Sequence, residues 1–128
     1  RYQTSLPKHL SELEILVTAS LWRYNVEWQI HAPIAAEAGL SEAVIDALRT
    51  GKEPEFSKAE EAAVYGLAKN LYETRRVDNA TYQQAVAALG EHGVVELVGI
   101  LGYYALVAMT LNVFDVSLPD SQPEPFPD

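Results

Sequence analysis

Glu27 and His31 stand four residues apart, and a carboxylate and an imidazole at that spacing on a helix share one face and can touch. Tyr24, Trp28 and Ala35 fall on the same, mostly apolar, face. Burial raises a carboxyl pKa and a neighbouring anion raises that of an imidazole. Such a pair can therefore hold the proton that general acid–base chemistry near neutral pH requires. The same spacing also suits a merely helix-stabilising Glu–His pair, and spacing alone does not separate the two. Glu12 lies with Ile15, Leu16 and Ala19 on an apolar stripe of the preceding helix. A buried acid needs a partner; a packed hairpin of the two helices brings Glu12 towards His31, or leaves it pairing structurally elsewhere. Glu14 neighbours Ser11 and Thr18 and is expected in solvent.

Other chemistries find less support. His9 and His92 have no spacing that completes a ligand set with Glu27 and His31, so no metal is expected. With no cysteine in 128 residues, disulfides, thiolate nucleophiles and Cys-based metal sites are excluded. The formal charge of −9, with no clustered Lys/Arg stripe, argues against nucleic acid as a partner and serves solubility. Arg23 is the one basic residue beside the pair and suits an anionic carboxylate, though an Arg at a helix end is commonly solvated. Trp22, Trp28, Tyr103 and Tyr104 read as core or subunit-interface aromatics. Asn112, in an apolar helix, must find a hydrogen-bond partner, with a subunit interface as one source.

The elements that must position these residues are helices; no stretch alternates like a half-buried strand. The sequence predicts six. The first covers about residues 7–22, with Pro7 in its first turn and Ser5 as cap. The second covers about 24–38, bent at Pro33 and stopped at Gly39. The third is capped by Ser41. The fourth, to about residue 74, opens on the capping box Ser57-Lys58-Ala59-Glu60. The fifth is capped by Asn79 and ended by Gly90, and the sixth spans about 92–114. Residues 1–118 form one helical domain, and the Pro- and acid-rich tail 119–128 is expected to be disordered or packed on a partner chain. The longest apolar region, 94–114, is interrupted by Glu96, Gly99 and Gly102, so no membrane span is expected. The sequence opens on Arg1 without Met and is expected to lack its own N-terminus; no signal peptide is visible in what remains, and a cytoplasmic location is expected.

Several segments together resemble the carboxymuconolactone decarboxylase family, part of the alkylhydroperoxidase D-like superfamily. They are Leu6-Pro7, Leu10-Ser-Glu12-Leu13, Glu27-Trp28-Gln29-Ile30-His31-Ala32-Pro33-Ile34-Ala35, Ala38-Gly39-Leu40-Ser41, Phe56-Ser57-Lys58-Ala59-Glu60, Val95-Glu96-Leu97-Val98 and Gly102-Tyr103-Tyr104. The resemblance spans about residues 6–118 and is most specific over 27–41. In the family's redox branch a Glu precedes a CxxC and a His. On this chain that Glu falls on Glu12 and the His on His31, while the two cysteine positions fall on Tyr24 and Glu27. Without thiols, disulfide exchange is chemically impossible. The decarboxylase branch is similar in carrying Glu at the second cysteine position, which matches Glu27 with His31.

The resemblance implies an all-α, six-helix fold that assembles as a homotrimer or homohexamer, with pockets near subunit contacts. It implies a cofactor-independent lyase that decarboxylates a small carboxylated lactone or related ring acid. His31, Glu27 and Glu12 are the expected catalytic residues, and Tyr24, Arg23 and Trp28 the expected substrate-binding ones. Two other readings stay open: a cofactor-free isomerase, hydratase or cyclase using the same pair, and a non-catalytic oligomeric ligand-binding protein.

Overall fold

The computed structural model describes residues 4–116, 118 and 123–127, and among them the fold is all-helical, without strands. Its elements are α1 (Lys8–Trp22), α2 (Asn25–Glu37), α3 (Glu42–Thr50), α4 (Ala59–Thr74) and α5 (Asn79–Val113). The expected fifth and sixth helices are one 35-residue element broken at Gly90, whose φ of 75° and ψ of 167° are non-helical. A left-handed φ is nearly free for glycine and costly for other residues. Beyond the break, a Cβ on Gly93 would come within 2.8 Å of the Leu89 Cβ, so the bend also depends on a bare Cα there.

Among the described residues, side-chain caps mark two of the five helix starts. Ser41 Oγ accepts from the Val44 N–H at 3.1 Å, as expected. Three expected caps are displaced. Pro7 itself is the N-cap residue of α1, because Ser5 is turned away and its N–H donates to Glu96. Lys58, not Ser57, precedes α4, and it makes no side-chain cap bond. Asp78, not Asn79, caps α5, its carboxylate accepting from the Thr81 N–H at 2.8 Å.

The organising feature is the position of α1. It packs against α2, α3, α4 and α5, and every residue from Leu10 to Ala19 is buried. A helix enclosed on all sides hides polar residues of every face. This corrects the expectation for Glu14. A helix buried on one side only would leave Glu14 in solvent, yet Glu14 has 0% exposure, and neither carboxyl oxygen has a hydrogen-bond partner among the described residues. Burial first, and the Glu96 charge second, push its pKa well above the ordinary carboxyl value.

The opposite case is α5. Its most apolar 18-residue window has a mean hydropathy of 1.9 and is one-third buried. By length and composition alone it could cross a membrane, although a core helix of a soluble protein meets the same description. The sequence expectation counted Glu96 and two glycines as interruptions, but the window average outweighs them. Val95, Val98, Leu106, Met109 and Val113 are exposed along it at helical spacing.

The tail differs from expectation where it is described. Residues 123–127 pack on this chain itself: Phe126 is 5% exposed and meets Trp28 edge-to-face at 5.2 Å. Residues 117, 119–122 and 128 lie outside the described residues, as do 1–3.

An unpartnered buried carboxyl costs about 1–3 kcal/mol. Glu14→Leu, close in volume, is expected to raise the urea midpoint at pH 7–8 by a corresponding stability; a lower midpoint would show that Glu14 has a stabilising partner.

Candidate active site

The site begins at the turn between α1 and α2. Arg23 adopts left-handed φ and ψ of 52° and 49°, and the Tyr24 N–H donates to the Ala19 carbonyl at 2.8 Å. This closes α1 with bonds back to its last turn, and Tyr24 then serves as the N-cap residue of α2. The turn folds α2 back along α1 and sets the 24/27/28/31 face of α2 against the 12/16/19 face of α1.

Three predicted residues meet there. The His31 Nδ1–H donates to Glu12 Oε2 at 2.7 Å, and Nε2 lies 3.1 Å from Glu27 Oε2. His31 is 7% exposed and Glu12 0%, while the Glu27 side chain keeps 14%. Glu27 Oε2 has no well-aligned hydrogen bond among the described residues, so its approach to Nε2 is chiefly an ion pair. Desolvation on its own would lower the imidazole pKa. The Glu12 hydrogen bond and the negative charges of Glu12 and Glu27 outweigh it and lift His31 from 6.5 to about 9. At neutral pH the ring is therefore an imidazolium, with Nδ1–H bonded to Glu12 and Nε2 in ion-pair range of Glu27. That arrangement is a proton donor rather than a base.

Two further side chains complete the surroundings. Tyr24 is buried, and its hydroxyl has no hydrogen-bond partner among the described residues. Burial, and then the Glu27 charge, push its pKa up to about 12, so it stays a neutral phenol able to donate. Tyr104 of α5 stacks edge-on against the His31 ring at 5.9 Å and Tyr103 stacks on Tyr104 at 5.0 Å. Sequence reasoning placed these tyrosines only as core or interface residues. The contact joins positions 73 residues apart, which helical periodicity does not reveal.

The other predicted residues go elsewhere. Trp28 is covered by Phe126. Arg23 is exposed; its guanidinium lies 5.9 Å from the centre of the Phe126 ring, and Nη2 donates to the Pro127 carbonyl. A cavity of about 290 Å³ opens at this corner, lined among others by Trp22, Arg23, Tyr24, Asn112, Glu124 and Phe126. Tyr24 belongs both to this cavity and to the surroundings of Glu27. Asn112 finds its partner within the chain: Nδ2 donates to the Trp22 carbonyl at 3.0 Å.

The remaining histidines pair with carboxylates. His9 lies 2.8 Å from Glu61 and 3.4 Å from Glu60, and His92 lies 2.6 Å from Glu96. Among the described residues no three His, Asp or Glu side chains are arranged to hold a metal ion.

The His31 shift fixes a sign for stability. The folded value of about 9 exceeds the ordinary 6.5, so the contribution is complete below pH 6.5 and is lost as pH rises through 9. The difference in unfolding free energy between wild type and His31→Phe is expected to shrink by about 3 kcal/mol at most over that window. A difference independent of pH would contradict the shift.

No family model, curated protein or solved structure matches this chain.

Proposed function

We propose that the protein is a cofactor-independent lyase of the carboxymuconolactone decarboxylase type, removing CO2 from a small carboxylated lactone or related ring acid. One observation carries this reading: the His31 ring is held between two carboxylates from two helices, at 2.7 Å from Glu12 and 3.1 Å from Glu27. The absence of cysteine leaves proton chemistry as the option for this cluster.

The proposed reaction asks little more of the protein. The bond between the ring carbon and the substrate carboxylate breaks, and its electron pair passes into the conjugated lactone carbonyl as a dienolate. CO2 departs. His31 then delivers a proton to carbon from Nε2, and the ring regains a proton from solvent by way of Glu27. The lactone is the electron sink, so no cofactor takes part. Glu12, fully enclosed, fixes the ring through Nδ1 and stabilises its charge. Glu27 is the more accessible carboxylate, so a substrate approaches from its side. Tyr24 offers a neutral donor beside it, and Arg23 a guanidinium for a carboxylate.

The exposed apolar stripe of α5 supports self-association as a trimer or hexamer, since monomers seldom present so long an apolar face to water. The same reading carries a small-molecule substrate and a cytoplasmic setting.

A second reading, a non-catalytic oligomeric ligand-binding protein, is favoured by a specific observation. Both His31 nitrogens are paired and the ring is 7% exposed, as in a satisfied core histidine. Turnover separates the two. With a panel of carboxylated unsaturated lactones, the lyase reading expects CO2 release, and expects His31→Ala and Glu27→Gln each to lower kcat about 10²–10⁴-fold while the fold persists. Conversion without CO2 would make the protein an isomerase or cyclase. Folded variants as active as wild type would remove His31 and Glu27 from the chemistry.

A further inference from the structure

Residues 123–127 sit on Arg23, to which the proposed function gives a substrate carboxylate, and on Trp28, which the family resemblance marks as substrate-binding. Phe126 caps the Trp28 indole and its N–H donates to Asn25 Oδ1 at 2.8 Å. Gln29 Nε2 donates to the Pro123 carbonyl at 2.7 Å, and Arg23 donates to the Pro127 carbonyl. These bonds run between α2-side side chains and the segment's own backbone. Pro123, Pro125 and Pro127 alternate along it. Proline has no N–H and a fixed φ, so the segment, which bends at residues 125–126, makes no ladder and loses little entropy each time it docks. One aromatic side chain anchors it.

Charge gives the docked segment a consequence. Among the described residues around the cavity that it helps close, Arg23 is the single basic one and Asp115 and Glu124 are acids. With the segment in place, the acids outnumber the cation, and the Pro127 carbonyl occupies one guanidinium N–H. An anionic ligand meets repulsion and a filled donor. When the segment lifts, Glu124 and the Pro127 carbonyl leave together, while Arg23, Asn25 and the Trp28 face become available. These are a guanidinium, an amide and an aromatic surface, which suit a small planar carboxylate.

We propose that residues 123–127 are a displaceable strap that shuts this corner against anionic ligands, and that a ligand carboxylate replaces the Pro127 carbonyl on Arg23. The inference rests on the proposed role of Arg23 in substrate binding. It supplies the regulation of that site: Tyr24, shared by the cavity and the Glu27 surroundings, links the strap to the His31 cluster.

The test uses the full chain carrying Trp22→Phe, so that Trp28 is the single tryptophan and is excited at the red edge where tyrosine does not absorb, and needs no turnover. Its failure is therefore distinct from failure of the lyase reading. Iodide and acrylamide serve as anionic and neutral quenchers. With the strap intact both should quench Trp28 weakly. Phe126→Ala should raise both quenching constants severalfold with the helical circular dichroism unchanged. Adding Arg23→Gln to Phe126→Ala should then lower the iodide constant relative to acrylamide. Equal quenching with and without Phe126 would overturn the strap. An iodide-to-acrylamide ratio indifferent to Arg23 would overturn its role as the anion receptor.

Discussion

A glutamate with no exposed surface needs a partner in an all-helical core, and for Glu12 that partner is His31. Their 2.7 Å contact joins α1 to α2 at the one place where both helices bring polar groups inside. Breaking one side of such a pair strands the other, at a cost of about 3–5 kcal/mol. The turn at Arg23 and Tyr24 brings the two helices together there, and Tyr104 of α5 meets the ring edge-on. Glu14 shows the alternative on the same helix: a carboxyl equally enclosed, without a hydrogen bond among the described residues, held towards its neutral form by burial.

The chemistry follows from the same contact. A lone buried histidine titrates below its ordinary value and is neutral at pH 7. Two carboxylates reverse this, so that the ring keeps its proton. The two are unequal in role. Glu12 is fully enclosed and suited to fixing the ring. Glu27 is partly accessible and suited to exchanging a proton. The His9 group also pairs a buried carboxylate with an exposed one, but Glu61 and Glu60 are both on α4, whereas Glu12 and Glu27 come from two helices.

Much of this was legible in the sequence, because local signals report local facts. The all-helical class, the Ser41 cap and the Glu27–His31 face depend on spacings of three or four residues. Glu12 was found because an acid among Ile15, Leu16 and Ala19 is anomalous. Glu14 was misplaced because its fate depends on how many neighbours surround α1, which no pattern within α1 encodes. Tyr104 reaches His31 across long sequence separation, and Phe126 covers Trp28 from a tail whose composition suggested disorder. The Ser57 capping box was a correct pattern in an unused place, since α4 starts after Lys58. The turn before α5 uses Asp78 rather than its equally suitable neighbour Asn79. Competing caps one residue apart differ by little energy, and tertiary contacts decide between them.

The central claim is that His31 is an imidazolium at neutral pH because Glu12 and Glu27 hold it there. Nitrogen-15 NMR of the histidine rings reads this directly. In wild type the account predicts both His31 nitrogens protonated at pH 7, with a titration midpoint near 9 that falls in Glu12→Gln. A neutral His31 tautomer at pH 7, or a midpoint at or below 6.5 that Glu12→Gln leaves in place, would contradict it.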